Sequence, residues 1–93
     1  MTICMFVTVT GMFLVGELID VQDDVYTVDT PMMVGYARQE PNSVVLVPYP
    51  PYAESKQIIK MYRHGLLCEP YTVSDELKQM YLRRAQKQER TAH

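Results

Sequence analysis

Ninety-three residues, 47% hydrophobic and 22% charged, predict one small globular domain and exclude a disordered chain. The formal net charge of −2 gives no general attraction to nucleic acid or to an anionic membrane. Two cysteines, Cys4 and Cys68, are too few for a disulfide framework and read as buried reduced thiols, although pairing of the first and last strands would bring them close enough to bridge.

The charge is unevenly spread. Glu17, Asp20, Asp23, Asp24 and Asp29 precede Ala37 with no Lys or Arg among them, and every basic residue lies from Arg38 onward. Lys78, Arg83, Arg84, Lys87 and Arg90 read as a solvated helix face. The uncharged opening MTICMFVTVTGMFLVG has no basic leader and no small-residue cleavage site, and it reaches Glu17 before the ~20 apolar residues of a membrane span. Two apolar strands explain it better, and the expected location is the cytoplasm.

Ile3, Met5, Val7 and Val9 alternate with Cys4, Phe6, Thr8 and Thr10, the period of a strand whose two faces are both covered. Thr10-Gly11 is a tight turn in which Gly11 supplies a positive φ. The second strand, Met12 to Val21, carries Gly16 at its middle, the mark of a bend or bulge. Its faces read as Phe13, Val15, Ile19 and Val21 against Met12, Leu14 and Leu18. Gln22-Asp23-Asp24 turns the chain into a third strand, Val25 to near Pro31, after which residues 31–36 continue in a new direction. Arg38 to Asn42 is a polar turn.

Ser43 to Val47 is the fourth strand. Val44, Val45, Leu46 and Val47 are apolar at successive positions, so it is predicted to be buried on both faces or to form a subunit contact. Pro48, Pro50 and Pro51 predict a rigid crossover, with Tyr49 and Tyr52 packing locally. Gln57 to Tyr62 reads as strand or helical turn, and Gly65 to Glu69 as the last strand, ended by Pro70. Ser74 caps a helix whose first turn holds Asp75 and Glu76, with Leu77, Met80 and Tyr81 as its apolar stripe. The sum is a mostly β chain: a small, strongly bent five-stranded barrel over about residues 1–70, then a C-terminal helix over about 74–88.

Val7-x-Val9-x-Gly11, Gly16-x-Leu18, the acidic turn Asp23-Asp24 and the strand Val25 to Val28 follow the order strand–Gly–strand–Gly–acidic turn–strand. The chain thereby resembles the Sm-like proteins, in particular the divergent type found in phage and marine metagenomic sequences, and its close through Glu69-Pro70-Tyr71 into a helix with Leu77 and Tyr81 is similar to that type. The resemblance implies a barrel that assembles into a ring and binds single-stranded RNA, with Asp23, Asp24, Tyr26, Arg63, His64 and Gly65 as the RNA-facing set. The departures fall on that set. Asp24-Val25-Tyr26-Thr27 lacks the family's base-binding Asn, and His64 interrupts its Arg-Gly pair. The family's opening helix is also absent from the pattern, which begins with a strand.

No nucleophile–base pair, metal-ligand spacing or phosphate-cradling loop is visible, and His64 and His93 are the only histidines. The expectation is a protein without enzymatic activity, cofactor, metal or small-molecule substrate: a homo-oligomeric Sm-like scaffold, for which single-stranded RNA is a candidate ligand and not an expected one. Against the RNA stands the acidic N-terminal half, which repels phosphate. The alternative is a phage-encoded structural or protein-interaction module with no nucleic-acid ligand, working in the host cytoplasm.

Overall fold

A computed structural model describes residues 1–36, 43–51 and 56–91, and for 87–91 the backbone alone. The predicted turn at Arg38–Asn42 lies outside the described residues, as do Tyr52 and His93. Six strands, β1 (Ile3–Val7), β2 (Phe13–Gln22), β3 (Val25–Tyr36), β4 (Val44–Pro48), β5 (Ile58–Tyr62) and β6 (Tyr71–Thr72), precede one helix, α1 (Asp75–Thr91). The antiparallel sheet runs β4-β3-β2-β1-β6, and β5 also pairs with β3.

The expected five-stranded barrel is therefore corrected: among the described residues there are six strands, and their sheet does not close. Both limiting strands divide their outer edges. Residues Met32–Tyr36 of β3 pair with β4, and Val25–Asp29 pair with β5. β1 gives Cys4 and Met5 to β6, which leaves Thr8 for a single bridge to Leu66. Hydrogen bonds from Leu67 N to Val7 O (2.8 Å) and from Val9 N to Gly65 O (2.9 Å) flank that bridge. The segment predicted as the last strand thus makes one bridge, because a 3-10 turn at Arg63–Gly65 occupies its start. The final strand lies beyond Pro70 instead.

The chain reverses between β1 and β2 at Thr8–Met12, where Gly11 has φ 91° and the Thr8 hydroxyl accepts the Met12 N–H at 3.0 Å. β3 does not stop at Pro31. Val15 pairs with Met32 and Glu17 with Asp29, so Gly16 faces two residues, Thr30 and Pro31, in a bulge. Thr30 takes φ 50°; its N–H donates to Gln57 O (2.7 Å), and Pro31, which has no N–H to waste, accepts from Tyr49 N (3.0 Å). A second shift between Leu18 and Asp20 leaves Ile19 as the extra residue on β2. The shift at Ile19 breaks the inside–outside alternation of β2, so of the face read as Phe13, Val15, Ile19 and Val21 only Val15 is buried; Phe13, which lies before both shifts, is exposed at the start of the strand. Pro48 is likewise the last residue of β4, paired with Met32, and not the start of a crossover.

Two cores result, one on each face. Cys4, Phe6, Leu14, Tyr26, Val28 and Met61 form the first, against which Tyr49 packs. Ile3, Val15, Met32 and Leu46 form the second, roofed by Tyr81 with Leu77 and Met80 of α1. The cysteines are both free. Burial raises the Cys4 thiol pKa, but Cys68 is exposed, which corrects the reading of two buried thiols. At the start of α1 the Ser74 hydroxyl accepts the Leu77 N–H at 3.4 Å, a long bond on an exposed turn. Ser74→Ala is accordingly expected to cost only about 0.5 kcal/mol, the low end for an N-cap, in urea unfolding midpoints compared with wild type.

Candidate functional site

The β2–β3 turn, the 3-10 turn and the lead into β6 converge on Arg63. Val25 pairs with Tyr62, and Arg63 N donates to Asp24 O at 2.8 Å, so the backbone itself docks the two turns. Arg63 Nη1 lies 3.1 Å from Glu69 Oε1, and Nε lies 3.6 Å from Asp24 Oδ1. The Tyr26 ring is buried and packs edge-on against Phe6, while its hydroxyl reaches the rim. There it donates to Glu69 Oε2 at 2.6 Å and accepts from Arg63 Nη2 at 3.2 Å. Donation to Glu69 raises the Tyr26 pKa, and the bond to Tyr26 followed by the Glu69 charge raises that of Arg63.

The six residues of the RNA-facing set are thus neighbours, but their chemistry is largely turned inward. Arg63 is the guanidinium on which the set depended, and it is engaged by two carboxylates and a phenol. Tyr26 is a core side chain with a tethered hydroxyl. Asp23 takes φ 57° to make the turn, which a short Asp side chain tolerates. Gly65 has no crowding neighbour, and its carbonyl accepts the Val9 N–H just beyond β1. His64 stacks on Tyr62 with ring centroids 5.9 Å apart and planes at 26°. This exposed pair, beside Lys60, offers flat surface to a ligand. The sequence reading missed Glu69, which closes the cluster from six residues beyond Arg63, because no local period signals a partner across a 3-10 turn.

A second candidate lies where β4 meets α1. The outer edge of β4 has no partner among the described strands. Leu46 is buried in the second core, whereas Val45 and Val47 are 38% and 40% exposed. β4 is therefore buried on one face within this chain, which corrects the first of its two predicted readings, burial on both faces, and does not touch the second, a subunit contact. Val44, Val45, Leu46 and Met80 floor an open groove of about 620 Å³, rimmed by Arg83 and Arg84.

Among the described residues no group of three or more His, Cys, Asp and Glu side chains is placed to hold a metal ion. No described helix is long and apolar enough to cross a membrane. No family model matches the chain, and no curated protein matches it.

Proposed function

We propose that the protein is an Sm-like scaffold that assembles into a homo-oligomeric ring through the outer edge of β4. One observation carries this reading: an edge strand whose apolar Val45 and Val47 stand exposed beside backbone groups that no described strand pairs. Such an edge aggregates unless it is paired or covered. A contact between two different patches, repeated around an axis, satisfies every edge and closes the assembly. The Sm-like order of strands and glycines supports the same arrangement, and Pro48 at the end of β4 limits pairing along the strand.

Light scattering at micromolar concentration is the test. The wild type should show a discrete mass of several subunits, and Val45→Lys should reduce it to the monomer with unchanged circular dichroism. Leu46→Lys is the wrong probe, since Leu46 belongs to the core. A monodisperse wild-type monomer would overturn the proposal.

Single-stranded RNA is the second reading, favoured by the stacked Tyr62 and His64 beside Lys60. Tyr62→Ala should weaken poly(U) binding in a gel shift about tenfold, the loss of one stacked base. Failure of the wild type to shift poly(U) or random RNA at low salt leaves the interaction module without a nucleic-acid ligand.

A further inference from the structure

Two surfaces of this chain complement each other and are held apart within one copy. The first is the β4–α1 groove, with its apolar floor and the rim arginines Arg83 and Arg84. The second is a hollow of about 210 Å³ beside the β2–β3 turn, lined in part by Asp20, Asp23, Lys60 and Tyr62. Val25 lines it as well and Tyr62 is exposed, so this patch too combines apolar surface with charge, of the opposite sign. Asp24 is occupied by Arg63. Asp20 and Asp23 make no ion pair among the described residues, and neither do Arg83 and Arg84. Lys60 offsets one of the two acids, which leaves the hollow negative.

The two surfaces sit at opposite ends of β3. Val44 pairs with Tyr36 at one end, and Tyr62 pairs with Val25 at the other. A twelve-residue strand separates them, so only another molecule can join them.

We infer that the groove beside Arg83 and Arg84 receives the acidic β2–β3 turn of a second copy, with Asp20 and Asp23 as the arginines' partners. Guanidinium and carboxylate make the stronger, geometrically specific class of ion pair. The apolar floor meets Val25 and Tyr62, the latter otherwise half exposed to water. Because the two patches differ, the contact repeats in one direction, as a ring requires. The inference rests on the oligomer proposed above and names which surface of the neighbour it uses.

A charge swap tests it. Arg83→Glu/Arg84→Glu and Asp20→Lys/Asp23→Lys, each alone, should be monomeric by light scattering at concentrations where wild type associates. Mixed in equal amounts they should associate again, since each reversed patch then finds its opposite. All four residues are exposed, and unchanged circular dichroism confirms that the variants fold. Wild-type association should also weaken several-fold between about 0.05 and about 0.5 M salt. If wild type associates and both variants keep its mass, the inference fails while the β4-edge assembly stands. A mixture that stays monomeric also refutes it. A wild-type monomer rejects ring and contact together, and if that monomer binds a polyanion such as heparin through Arg83 and Arg84, the groove belongs to a different ligand.

Discussion

Gly16→Val is expected to lose most of the soluble, folded protein. A Cβ at Gly16 would lie 2.5 Å from Val28 Cγ1 and 3.3 Å from both Asp29 O and Pro31 Cα. Two of those atoms are backbone on the bulged stretch of β3, and Val28 is fully buried in the first core, so none of them can withdraw cheaply. Val adds two further methyls to that contact. Overpacking of this kind costs roughly 1–3 kcal/mol, and here the upper end applies. For a chain of this size that lowers the melting temperature by roughly 10 °C or more. Gly16→Ala already meets the 2.5 Å contact and should lie between the two. A Gly16→Val melt within a degree or two of wild type would show that β3 yields at the bulge.

The second large effect concerns Tyr81, the point at which α1 holds the bend of β3. Its ring is buried in the second core, and its hydroxyl lies 2.9 Å from the carbonyl oxygens of both Asp29 and Thr30. Tyr81→Ala should cost about 3–5 kcal/mol, as for other large aromatics removed from a core. Tyr81→Phe should cost about 1–2 kcal/mol, because the buried Thr30 carbonyl and the part-buried Asp29 carbonyl lose their donor. Truncation after Val73 should prevent folding, since Met32 and Leu46 lose their cover. Urea unfolding ranks the three. Equal stability of the truncated chain would make α1 an appendage.

The same hydroxyl has a signature in alkali. Burial, reinforced by the Asp29 charge, raises the Tyr81 pKa above its usual value. The unfolded tyrosine loses its proton near pH 10. Stability linked to this group is therefore complete below about pH 10 and is lost as the pH rises toward the folded value. Tyr81→Phe should flatten the fall in unfolding midpoint above pH 10. Tyr26, also raised, accounts for what decline persists.

Much of the local structure was legible from residue types. Gly11 and Gly16 marked a turn and a bend, Ser74 with Asp75 and Glu76 opened the helix, and Leu77, Met80 and Tyr81 formed its buried stripe. These are effects of one residue on its own backbone, or of a period of two or 3.6, and a chain carries them wherever it folds. The places that sequence reading missed are long-range. Pro31 looked like a strand end because proline cannot donate, yet opposite Gly16 in a bulge no donor is needed. Ile19 and Val21 looked like companions of Val15 on one face because the alternation was counted straight through a register shift at Ile19 that exists only once β2 meets β3. Gly65 to Glu69 looked like a strand, but Cys4 and Met5 of β1 are taken by Tyr71 and Thr72 from beyond Pro70. The Arg63 cluster needed Glu69 and Asp24 brought together across 45 residues of chain, and the complementary groove and acidic hollow needed β3 to hold them at opposite ends. Local propensities determine which elements form, but competition among strands for the same hydrogen-bonding edges is settled only when all of them are present.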